Sequence, residues 1–182
     1  MSEEKSLEEL KADVLIKLRK YRLLKKEKVK DIMHYFIKVP KEKQKALIWC
    51  IPKEGTVGIA VVKNLEKVMK EKNMERGILI TSGKHTHAAR VNAKKMNIEL
   101  LPKIFPSFDI FKHKLVPKHE MLTQKERDQV LAQYKIQPYQ LPEIRASDPA
   151  VKAIGANPGD ILRIIRKSPT AGTHIAYRYV VE

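Results

Sequence analysis

The sequence predicts an α+β protein in two parts, an N-terminal α/β domain over residues 1–104 and a small C-terminal α+β domain with a β-hairpin over residues 105–182. Three observations carry this. Between Ala46 and Leu101, short apolar runs alternate with segments of helical periodicity, the pattern of strands joined by crossover helices. Pro102 and Pro106 frame a linker. Near the C-terminus, two β-rich runs, Asp160–Arg166 and His174–Val181, flank Lys167–Thr173, which holds the Pro and Gly of a hairpin loop.

The N-terminal elements follow from spacing. Ser6-Leu7-Glu8-Glu9 is a capping box, and Leu7, Leu10, Val14, Leu18 and Tyr21 recur every three or four residues, predicting a helix over about residues 7–21. The basic run Arg19–Lys28 has two readings, a phosphate-tracking patch or the solvated C-terminal end of that helix. Residues 29–38 fit helix and strand alike. Ala46–Ile51 reads as a buried strand closed by Pro52. Thr56 is placed to cap a helix reaching Lys72, with Ile59, Val62, Leu65 and Met69 on one face. Gly77–Thr81 is a second strand, Ser82–Thr86 a polar loop, His87–Met96 a helix and Ile98–Leu101 a third strand. Right-handed crossovers onto a mostly parallel sheet are expected.

The C-terminal elements are equally explicit. Phe108–Val116 reads as extended. Thr123 and Glu126 form a second capping box, opening a helix to about Tyr134. Asp148-Pro149 supplies an N-cap acceptor and a first-turn proline for a short helix over Pro149–Ile154, which Gly155 ends.

Composition bounds the function. The 182 residues are 43% hydrophobic, enough for folded cores, and carry a net charge of +16. Residues 1–110 hold 25 Lys+Arg against 14 Asp+Glu, and the remainder hold 12 against 7, so the surplus lies mainly in the first part. Such a surplus favours polyanion contact through counterion release, although lysine-rich solvated surfaces also arise without a binding role. Cys50, the single cysteine, lies in an apolar run and reads as a buried free thiol. No signal-peptide pattern is present and no apolar run approaches the ~20 residues of a membrane helix, so a soluble intracellular protein with no membrane partner is expected.

His113–His119, Leu122-Thr123, Tyr134, Gln140-Leu141-Pro142, Asp148-Pro149, Gly155, Gly159, Arg166–Gly172 and Tyr177–Val181 occur in one order over some seventy residues. In these residues the C-terminal part resembles the fifth subunit shared by the eukaryotic nuclear RNA polymerases and its shorter archaeal counterpart. Pro158-Gly159-Asp160 and Ser168-Pro169-Thr170 follow the archaeal wording. The resemblance implies a structural subunit whose partners are the largest polymerase subunit and other polymerase subunits. Pro142, Asp148, Pro149, Arg166, Ser168, Thr170, Ala171, Gly172, Tyr177 and Arg178 are its candidate interface residues. The archaeal counterpart is generally this domain alone, so the preceding 110 or so residues give a eukaryote-like architecture. The compartment is cytoplasmic if the source is archaeal and nuclear if it is eukaryotic.

The N-terminal pattern is similar to the restriction-endonuclease-like core. Enzymes of that fold hold a divalent metal with acidic residues and a lysine on adjoining strands. The corresponding strand here, Ile48-Trp49-Cys50-Ile51, carries none of these, and Lys53 and Glu54 lie beyond Pro52. Six histidines with one isolated cysteine do not supply a zinc cluster. No catalytic residue, metal or cofactor is therefore expected. In the eukaryotic relatives this half forms a jaw near downstream DNA. The loop Gly83–Ala88 ends a strand at a helix N-terminus, which makes Lys84, His85 and Thr86 the DNA-proximal candidates, with Thr86 as a plain helix cap the simpler reading. A stand-alone DNA-binding protein or a degenerate nuclease-fold protein is the alternative.

Overall fold

A computed structural model describes residues 6–39, 44–52, 55–168 and 172–182. The chain forms two compact units, Met1–Phe108 and Asp109–Glu182.

The first unit is a five-stranded sheet in sequential order, covered on both faces. Helix α1 (Leu7–Leu18) precedes strands β1 (Arg22–Val29), β2 (Ile32–Lys38) and β3 (Lys45–Ile51). Helix α2 (Ile59–Glu71), β4 (Arg76–Thr81), α3 (His87–Lys95) and β5 (Ile98–Leu100) follow. β3 shows why the sheet is a sandwich. Its Ala46, Ile48 and Cys50 pack with Ala12 and Leu15 of α1, while its Leu47, Trp49 and Ile51 pack with Val62, Leu65 and Met69 of α2 and Ala89 and Ala93 of α3. A strand buried on both faces reads as one continuous apolar run, which is how the sequence announces it.

Three expectations need correction here, and one open alternative is decided. The sheet is mixed, since β1–β2 and β2–β3 are antiparallel and only β3–β4 and β4–β5 are parallel. Beyond Arg19 and Lys20, which close α1, the basic run is not the solvated end of that helix. α1 stops at Leu18 because Lys20 adopts φ +54° and the Tyr21 amide donates back to the Ile16 carbonyl at 2.9 Å, a C-terminal cap made without glycine. The run then enters β1, and residues 32–38, which fitted both states, form β2. Thr56 does not cap α2. The Val57 backbone is held in a parallel bridge to His85, so the chain stays extended through Gly58, the residue at the helix N-cap.

The second unit has a four-stranded sheet in the order β6–β8–β9–β7, built from β6 (Lys118–Met121), β7 (Glu143–Arg145), β8 (Ile161–Ser168) and β9 (Gly172–Val181). α4 (Gln124–Tyr134) carries the capping box read from sequence, with Thr123 and Glu126 bonded reciprocally. α5 (Pro149–Ile154) is capped by Asp148 and ends at Gly155 with φ +74°. Val151, Leu162 and Val180 form the core. Phe108–Val116 is not extended: Asp109 accepts a hydrogen bond from the Phe111 amide at 3.2 Å and so nucleates a 3-10 turn over Ile110–Lys112. No helix among the described residues is long and apolar enough to cross a membrane.

Candidate nucleic-acid and subunit interfaces

The loop after β4 is tied to the loop after β3. The Val57 amide donates to the Lys84 carbonyl at 2.8 Å, and the Thr86 amide donates to the Val57 carbonyl at 3.1 Å. The Gly83 amide donates to Thr81 Oγ1 at 3.1 Å. Thr86 is the N-cap of α3, its hydroxyl oxygen accepting from the Ala89 amide at 3.1 Å. Within this loop the Gly83 and Thr86 amides are thus engaged in the fold, and the Ala89 amide is taken by the Thr86 cap. Lys84 is exposed. His85 is half-buried, and its Nε2 finds no hydrogen-bond partner among the described residues. Burial lowers its pKa below the ordinary imidazole value and Arg90 lowers it further, so the ring is neutral at neutral pH. Of the three residues singled out here, only Lys84 offers a positive charge.

The opposite end of α1 is fastened by buried polar groups that the sequence did not flag. Ser82 Oγ donates to Glu8 Oε1, and Lys11 Nζ donates to the Lys103 carbonyl at 2.8 Å. Glu8 and Lys11 are both buried. Burial lowers the Lys11 pKa, opposed by the neighbouring Glu8 carboxylate. Cys50 is buried as expected, and burial, reinforced by Glu9 and Glu8, pushes its thiol well above the ordinary range, which suppresses the reactive thiolate. No cluster of three or more His, Cys, Asp or Glu side chains suited to a metal ion occurs among the described residues. Lys53 and Glu54 lie outside the described residues.

In the second unit the candidate interface residues divide. Several serve the fold directly. The Pro142 carbonyl accepts from the Tyr179 amide at 2.9 Å, Asp148 caps α5 by accepting from the Ala150 amide at 2.7 Å, and Pro149 opens that helix. Arg178 Nη1 donates to the Glu143 carbonyl at 2.8 Å, across the parallel pair β7–β9, and the Tyr177 ring meets Tyr134 edge-on at 6.1 Å. Arg166 is exposed on β8, paired with His174 of β9. Ser168 pairs with Gly172, which sits at φ +67°, the left-handed conformation a hairpin end requires. Thr170 and Ala171 lie outside the described residues. Asp148→Ala should cost about 1 kcal/mol, within the usual range for losing an N-cap, and read as a lower urea midpoint with an unchanged m-value.

Comparison with known proteins assigns each unit. Residues 108–180 match the family described as RNA polymerase Rpb5, C-terminal domain, and residues 9–104 match the one described as NACHT-associated inactive Restriction Endonuclease 1. The chain is 63% identical over 75 residues to DNA-directed RNA polymerase subunit Rpo5 of Pyrococcus horikoshii, covering 41% of this chain and 92% of that one. Rpo5 of Staphylothermus marinus is 63% identical over 73 residues, covering 40% and 80%. DNA-directed RNA polymerases I, II, and III subunit RPABC1 of Caenorhabditis elegans is 34% identical over 134 residues, covering 71% of this chain and 64% of its own. That last alignment is longer than either unit and so enters both.

The second unit, with its capped helices and hairpin, thus defines a protein of the RNA polymerase subunit class. The chain belongs to the Rpb5/Rpo5 family of DNA-directed RNA polymerase subunits. Its first unit is a restriction-endonuclease-like domain, in keeping with the sandwich fold around β3.

Proposed function

We propose that this chain is a non-catalytic structural subunit of a multisubunit DNA-directed RNA polymerase, docking through its second unit on the largest subunit while its first unit lies near downstream DNA. The observation that carries the reading is the 63% identity across 92% of an archaeal Rpo5. The docking face is the hairpin β8–β9 with Pro142, Asp148, Pro149, Arg166, Ser168, Thr170, Ala171, Gly172, Tyr177 and Arg178, some of which contact the partner while others hold the face in shape. In the first unit Lys84 faces the duplex, with His85 and Thr86 shaping its loop. The lack of Asp, Glu or Lys along Ile48–Ile51 supports a domain that contributes no chemistry of its own. Purified chain with magnesium or manganese should leave plasmid DNA intact, and cleavage abolished by Glu54→Ala would refute the non-catalytic role.

Docking is tested through Gly172. A β-branched residue at φ +67° is strained by about 1–2 kcal/mol, whereas a β-carbon at Gly172 meets none of the described residues within 4 Å, so the effect is one of hairpin backbone and not of a core clash. Gly172→Val should reduce incorporation into reconstituted polymerase, while the surface change Lys125→Ala should not. Equal incorporation of both variants contradicts docking through the hairpin.

A further inference from the structure

β1 is the outermost strand of the first unit, with one edge paired to β2 and the other unpaired among the described residues. Seven of its eight residues are exposed, and it carries Arg22, Lys25, Lys26 and Lys28 against a single acid, Glu27. Lys30 follows in the turn to β2. Two of these cations are partly committed. Lys25 pairs with Glu27 at 3.2 Å, and Lys26 lies 3.5 Å from Glu9 and over the Tyr35 ring. Arg22, Lys28 and Lys30 form no ion pair among the described residues. Lys26 pairs with Tyr35 of the α1-side core, while its neighbour Lys25 pairs with Phe36 of the opposite core, so positive charge leaves both faces of the edge.

We infer that this edge is a second, stronger polyanion-binding element of the first unit, and that its ligand is the phosphate backbone of a nucleic-acid duplex. The inference rests on the reading that the first unit lies near DNA, and it deepens that reading by naming the surface. Three features select the ligand. Between Arg22 and Lys28 the strand spans roughly 20 Å at ~3.3 Å per residue, long enough to follow several phosphates. An added peptide strand is disfavoured, because the register shifts between Leu23 and Lys25, and a bulged, lysine-bearing edge is the arrangement that refuses edge-to-edge pairing. A single strand is disfavoured too, since β1 holds no aromatic side chain on which bases would stack. What remains is charge without base readout, which suits a duplex contacted independently of sequence. The loop at Lys84, by contrast, offers one cation where the β1 edge and its turn offer five.

The test is a titration of the full 182-residue chain with a labelled duplex of scrambled sequence at several salt concentrations. The variants are Arg22→Gln with Lys28→Gln, Lys84→Ala, and Lys94→Gln on exposed α3 as control, each checked for an unchanged melting profile. Each lost phosphate contact removes ~0.9 from the salt slope, so the double variant should flatten it by about 1.8 and weaken binding roughly 30-fold at physiological salt. Lys84→Ala should remove at most one contact, and Lys94→Gln none. A wild-type slope in the double variant, with duplex binding intact, overturns the role of β1 and leaves the DNA-proximal reading standing. No salt-dependent duplex binding by the wild-type chain overturns both. Tighter binding of an acidic peptide or of single-stranded DNA than of duplex at the same salt overturns the choice of ligand.

Discussion

Gly83→Ala should destabilise the protein by about 3 kcal/mol or more. A β-carbon at Gly83 would sit 1.7 Å from the carbonyl oxygen of Gly55, and backbone cannot swing aside as a side chain can. The two loops are held at that distance by the bridge between Val57 and His85, so relief requires breaking the suture that joins the ends of β3 and β4. The comparison is Gly55→Ala, on the other side of the same approach, where a β-carbon meets none of the described residues within 4 Å. Urea unfolding should show a large drop in midpoint for Gly83→Ala and a change within ~0.5 kcal/mol for Gly55→Ala. Similar midpoints for the two would mean that the loops are not sutured.

A comparable loss, about 3 kcal/mol, is expected of Glu99→Ala. Arg19 reaches Glu99 with both guanidinium ends at 2.7 Å, and Arg76 adds a third bond at 3.0 Å. The Arg19 side chain is only 4% exposed, so removing the carboxylate takes the bidentate acidic partner from a buried cation, the costly way to break such a pair. Burial alone would raise the Glu99 pKa, but the bonds and charges of Arg19 and Arg76 outweigh it and hold the carboxyl below the ordinary range. A depressed folded-state pKa stabilises above the unfolded value of about 4.3 and is lost as acid protonates Glu99 below it. Wild-type stability should therefore fall on acidification below about pH 4 by more than that of Glu99→Gln, which has no carboxyl to titrate at this position. Parallel pH profiles for the two proteins would contradict the pairing.

Legibility in the sequence tracked how local the cause was. The Ser6 cap, the Thr123 capping box and the Asp148 cap read directly, because each lies within three residues of the group it satisfies. The left-handed Gly172 was legible as well, since a hairpin loop calls for it. β1 was not, because its residues are polar and exposed on both sides of an edge, so neither the two-residue nor the 3.6-residue period is written in them. The start of α2 was misplaced because Thr56 looks like a cap locally, while the bridge that keeps Val57 extended comes from residues far along the chain. The Arg19–Glu99 pair was invisible for the same reason: 80 residues separate partners that meet only after the sheet forms. In the candidate site, charge and loop position pointed to Lys84, but the engagement of the Gly83 and Thr86 amides and the burial of His85 are properties of the folded loop.

The most direct measurement is site-specific photo-crosslinking in polymerase assembled with this chain on a downstream duplex. A crosslinker at Arg166 in the hairpin should yield adducts with the largest subunit, and one at Lys84 or Lys28 should yield adducts with DNA. Adducts to neither the largest subunit from Arg166 nor DNA from either N-terminal position, in polymerase that retains the chain, would contradict an assembly domain joined to a DNA-facing one.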